Sequence, residues 1–157
     1  SIRIIYSDWV INNNQYNLES VISIKAGSRM SSMNLNIDPI PENLCTGIVK
    51  HPEGKRLNPD TTPRSWTFLA TFGKQSLSDD MLGMAVIYRQ DKLISIEEDD
   101  HSHVVVLDPS DGSVDYFFLA AWEQEPGGIK NEQEFIDYLN LEIERLENPV
   151  EIKIINK

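Results

Sequence analysis

The stretch Ser113–Glu123, SVDYFFLAAWE, sets Tyr116, Phe118, Ala120 and Trp122 on one side of an extended chain and Phe117, Leu119 and Ala121 on the other. Side chains alternate across a strand, so a run that is apolar at both parities belongs in the middle of a sheet with both faces covered. The segments around it read the same way. Pro109-Ser110-Asp111-Gly112 is a turn by its residue types, and the apolar runs Leu93–Glu97 and His101–Asp108 precede it. Further upstream, Arg64–Phe72 alternates with Trp66, Phe68, Ala70 and Phe72 on one face, and Met81–Tyr88 aligns Leu82, Met84, Val86 and Tyr88.

At the N-terminal end, Ile2–Ile11 and Gln15–Ala26 flank the turn Asn12-Asn13-Asn14 and read as a hairpin, which Met30–Asp38 extends to a meander. Asp38–Asn43 is a loop by its two prolines, and a short strand, Cys45–Lys50, follows it. From His51 to Pro63 the chain turns to Pro, Gly, Asn, Asp and Thr, and is expected to be a long loop. One helix is expected, capped by Asn131 with Glu134 three residues on, and striped by Phe135, Tyr138, Leu139, Ile143 and Leu146. Asn148-Pro149 ends it, and Val150–Ile155 reads as a last strand. The expected fold is therefore all-β: two antiparallel sheets packed face to face, with one C-terminal amphipathic helix.

A chain of 157 residues is long enough for one well-buried domain. Its formal charge of -11, with no Lys/Arg cluster, argues against a nucleic-acid partner and against an anionic membrane surface. It argues less strongly against a polyanionic glycan unless a cation or a local basic pocket intervenes, so neutral ligands fit more easily. No apolar run approaches the roughly 18 residues of a membrane-spanning helix, so membrane insertion is not expected. Cys45 is the only cysteine, which excludes an internal disulfide and a cysteine-rich zinc site. The opening at Ser1, directly before a strand, suggests a piece of a longer chain, with a missing N-terminal portion as a possible partner.

The candidate chemistry lies in Glu97–Leu107, EEDDHSHVVVL. On a strand, His101 and His103 project to one face in line with Val105 and Leu107, a spacing that suits two metal ligands, with a divalent metal possible, or an acid and a base. Partly exposed histidines bonded to the preceding acids are the structural alternative. His51, the only other histidine, opens the long loop and could join them. The acids Glu97 to Asp100 read as a solvated turn and lack the spacing of an EF-hand loop. Lys74 and Gln75, in a Gly-Lys-Gln-Ser turn after an aromatic strand, suit a carboxylate or a sugar hydroxyl. Trp122, beside Glu123 and the Gly127-Gly128 loop, is the tryptophan most suited to line a cleft.

The segments AGSRM (26–30), GIVKH (47–51), ATFGKQSLSDDMLGMAV (70–86), DDHSHVVVL (99–107) and FFLAAWEQEPGGI (117–129) resemble the C-terminal half of a bacterial family, domain of unknown function 4861. The resemblance implies a galactose-mutarotase-like β-supersandwich, so that residues 1–157 form either a single β-sandwich domain or the C-terminal part of a larger one. It also implies a secreted or periplasmic protein of glycan-utilising bacteria with a carbohydrate ligand. On that resemblance His51, His101 and His103 take acid–base roles on a sugar, and Lys74 a substrate contact. The reaction, whether of epimerase, lyase or hydrolase type, stays open, as does a non-catalytic glycan-binding or accessory domain whose histidines are structural.

Overall fold

In the computed structural model, which describes residues 1–150, ten antiparallel strands form two sheets and are followed by one α-helix. The strands are β1 (Ile2–Ile11), β2 (Asn14–Ile24), β3 (Met30–Asp38), β4 (Leu44–Val49), β5 (Gly54–Leu57), β6 (Trp66–Lys74), β7 (Met81–Arg89), β8 (Leu93–Glu98), β9 (Ser102–Leu107) and β10 (Ser113–Trp122); the helix is α1 (Glu132–Glu147). The large sheet runs β1-β2-β3-β10-β7-β6-β5 and the small one β4-β9-β8. The expected strand at Val150–Ile155 lies outside the described residues apart from Val150.

Strand β10 is the middle strand of the large sheet, paired with β3 on one side and β7 on the other. Its two faces meet different partners. Leu119 and Ala121 pack with Phe68, Ala70, Phe72, Ala85 and Ile87 under the buried stripe Phe135, Leu139 and Ile143 of α1. On the opposite face, Val114 joins Leu69, Val86 and Tyr88 against Val105 and Leu107 of the small sheet. The expected double cover is thus only partial. A three-stranded sheet reaches the Val114 end of β10 and leaves Phe118 and Trp122, 37% and 40% exposed, on an open face.

Helix α1 begins where its cap residues dictate. The Asn131 side chain accepts a hydrogen bond from the Glu134 backbone N–H at 3.0 Å, satisfying a backbone donor that the first turn leaves free, and its amide N–H donates to the Glu134 carboxylate at 2.7 Å. Its far end is tied down as Glu147 accepts from the Trp66 N–H at 2.8 Å. Phe135 seats over Gly83, where any Cβ would lie 2.6 Å from the ring, and its ring centroid stands 5.8 Å from that of Phe72.

Two features depart from the expectation. The His51–Pro63 segment is not all loop, because Gly54–Leu57 forms β5 and pairs Gly54 with Gly73 and Leu57 with Ala70. Leu57, the one apolar residue of that strand, is buried beneath α1, and this anchors an otherwise polar stretch. Strand β1 is bulged between Tyr6 and Trp9, with Asp8 at a φ of 56°. Among the described residues it forms an open edge, whose Ile5 and Val10 are 58% and 63% exposed.

Candidate histidine-lined cleft

Each candidate residue is positioned by the strand that carries it. On β9, His103 pairs with Ile48 of β4 and with Glu98 of β8, and its side chain follows Val105 and Leu107 to the inner face of the small sheet. It is only 5% exposed. Strand β4 approaches it closely because of Gly47, where a Cβ would collide with the His103 carbonyl. Beyond β4, the turn His51–Gly54 closes with a 2.9 Å bond from the Gly54 N–H to the His51 carbonyl and leads directly into β5. A cleft of about 370 Å³ opens here, lined by Lys50, His51, Pro52, Gly54, Arg56, Asp100 and His103.

The expectation that His101 and His103 project together meets a different geometry. Strand β9 starts at Ser102, and His101 lies in the preceding bend. There the Asp99 carboxylate accepts from the backbone N–H groups of His101 at 2.7 Å and Ser102 at 2.6 Å, which also hold Asp99 below the usual carboxylate range. His101 is exposed and does not line the cleft, so the histidines that share it are His51 and His103.

Gln75 is buried and donates to Thr71 Oγ1 at 3.0 Å and to the Leu82 carbonyl at 2.8 Å. It supports the turn from below, because its amide oxygen fills the space a Cβ at Gly54 would take. Lys74 pairs in register with Met81 and follows Phe72 on the α1 face of β6, the side away from the cleft. Trp122 donates from Nε1 to Asp80 at 2.8 Å; Asp80 is held low by Ser76 and then Trp122. Arg56 carries no signal in the sequence, because β5 is extended only through its pairing with β6, which sets the lone Leu57 opposite Ala70.

The two cleft histidines are oriented by different partners. Nδ1 of His103 lies 2.9 Å from Oε2 of Glu98, near enough for charge pairing, although its direction falls short of a hydrogen bond and the buried atom has no other partner. Lys50 bonds the other oxygen of that carboxylate and, with His103 after it, holds Glu98 below the usual range. A proton on Nδ1 therefore meets a negative charge, and neutral His103 keeps Nε2 as a free acceptor. In His51 the relation is reversed: Nδ1 accepts from the Glu53 N–H at 3.2 Å, which leaves the proton on Nε2 as a donor. Such a pair combines an acceptor and a donor in one cleft, the requirement for general acid–base chemistry. Among the described residues no three His, Cys, Asp or Glu side chains gather as a metal-binding group.

Two further grooves flank β4. One, of about 540 Å³, runs along the open face of the large sheet between Thr46–Ile48 and Met33, Met84, Tyr116 and Phe118. The other, of about 490 Å³, is lined by Trp9 and Tyr16 with Asn12, Asn14, Glu42 and Asn43.

Strand order and cleft together describe an antiparallel two-sheet protein with two histidines lining a cleft beside its small sheet. The chain belongs to the family described as Domain of unknown function (DUF4861), which matches residues 1–152. No curated protein and no solved structure matches the chain. No helix among the described residues is long and apolar enough to cross a membrane.

Proposed function

We propose that the protein binds a carbohydrate in the His51–His103 cleft and transfers protons to and from it, with His103 as base and His51 as acid. The observation that carries this reading is the complementary orientation of the two imidazoles, one offering Nε2 as acceptor beside Glu98 and the other offering Nε2–H. Ring hydroxyls need this alternation of donor and acceptor, and the exposed Phe118 and Trp122 on the same sheet face offer apolar surface for a pyranose ring. A galactose-mutarotase-like architecture, of which this chain is one domain or one part, and a secreted or periplasmic role in glycan utilisation belong to the same proposal.

The test is isothermal titration with a panel of neutral and uronic oligosaccharides, with and without a divalent metal, on wild type and on His51→Ala and His103→Ala. Saturable binding to wild type that weakens at least tenfold in both variants supports the site. Saturable binding that survives both substitutions moves the ligand elsewhere.

A second reading has its own observation. The groove with Trp9 and Tyr16 on one face and three asparagines at its rim suits a non-catalytic glycan-binding role, since stacking plus amide hydrogen bonds recognises sugars without proton transfer. Loss of binding in Trp9→Ala with His103→Ala unaffected would select it.

A further inference from the structure

We infer that the ligand of the histidine cleft is anionic, a sugar bearing a carboxylate, and that Arg56 is the residue that receives its charge; this rests on the carbohydrate reading above. The arginines elsewhere in the described chain each meet a carboxylate: Arg3 with Glu19, Arg29 with Glu125, Arg64 with Asp60, Arg89 with Asp91 and Arg145 with Glu142. Arg56 alone has no ion-pair partner among the described residues, in a chain whose formal charge is -11 and which holds acids to spare. It projects from β5 into the cleft wall with His51 and His103. Asp100, the one acid of that lining, stands beyond ion-pair distance of it, while Lys50 is already engaged by Glu98.

The backbone at Arg56 is fixed from both sides: its neighbour Leu57 is buried under α1, and its register partner Thr71 is buried and bonded to Gln75, so β5 keeps the exposed Arg56 on the cleft face. A planar guanidinium presents a fork of donors that matches a carboxylate in two parallel hydrogen bonds, an arrangement that a neutral hydroxyl cannot use fully. A carboxylate held by Arg56 leaves the Nε2–H of His51 and the Nε2 of His103, which share the same lining, for the hydroxyls of the sugar.

The experiment compares trigalacturonate with neutral galactotriose, by titration calorimetry at low and high ionic strength, on wild type, Arg56→Ala and Arg56→Lys, each checked for folding by circular dichroism. The expected result is binding of the uronic trimer to wild type, weakened roughly tenfold or more in Arg56→Ala, partly restored in Arg56→Lys, and diminished by salt. Galactotriose should bind at least tenfold more weakly than its uronic counterpart and be indifferent to Arg56. Equal affinity for the two trimers, unchanged in Arg56→Ala, overturns the anionic ligand and leaves the carbohydrate reading intact. Failure of both trimers to bind wild type overturns the inference together with the reading on which it rests.

Discussion

Nδ1 of His103 stands 2.9 Å from Oε2 of Glu98, and Lys50 holds the other oxygen of the same carboxylate. Lys50 just past β4, Glu98 of β8 and His103 of β9 thus form a cluster of charge contacts at one end of the small sheet. Because the folded state holds Glu98 below its ordinary range, the carboxylate stabilises the fold at every pH above that range. Its contribution is lost as pH falls through the depressed folded value. Thermal unfolding of wild type and Glu98→Gln should therefore differ most near neutrality and converge in strong acid. A gap that stays constant down the whole acid limb would mean that Glu98 gains nothing from Lys50 and His103.

The seat of α1 gives a packing prediction. Gly83→Ala places a methyl 2.6 Å from the Phe135 ring, an overpacked contact of the kind that costs about 1–3 kcal/mol. Phe135→Leu in the same background removes the ring edge, so the double variant should be more stable than the sum of the single changes implies. Denaturant unfolding of all four proteins measures the cycle, and strict additivity would show that the two residues do not meet.

The open edge of β1 predicts behaviour in solution. A bulge between Tyr6 and Trp9 interrupts its ladder with β2, yet Ile5 and Val10 remain exposed on a strand whose outer edge has no partner among the described residues. Ile5→Lys with Val10→Lys should reduce self-association at high concentration, as seen by light scattering, and leave ligand binding at the distant cleft unchanged. Undiminished association in that variant would acquit this edge.

How far the sequence could be read depended on whether local chemistry or distant pairing decided each element. The Asn131–Glu134 cap and the two-faced apolar run of β10 carry their own signals, and both stand where expected. Strand β5 carries none: Gly54-Lys55-Arg56-Leu57 owes its extension to pairing with Gly73 to Ala70 and to the burial of Leu57. Arg56 was hidden with it. The histidine spacing misled for a similar reason, since the bonds from His101 and Ser102 to Asp99 hold His101 in a turn before alternation begins. The exposed half of β10 was also beyond the pattern, because the number of strands in the opposing sheet decides how far its cover extends.

The same turn separates two residues that the sequence treats alike, so His101→Ala and His103→Ala should differ. His103→Ala removes a buried ring that packs beneath the small sheet and leaves Glu98 with Lys50 alone, and it should both lower the melting temperature and abolish binding in the cleft. His101→Ala, on an exposed bend, should change neither beyond experimental error, because its contacts to Asp99 and Lys50 are made by the backbone.

The most direct measurement is the ¹H–¹⁵N spectrum of the imidazole rings, recorded while trigalacturonate is added to the wild-type protein. The ring signals of His51 and His103 should shift together and saturate at one ligand concentration, with His51 showing the Nε2–H tautomer and His103 the Nδ1–H tautomer, while His101 stays fixed. A saturating shift of His101 with His103 unmoved, or one and the same tautomer in both cleft histidines, would overturn the pairing of acid and base in the cleft.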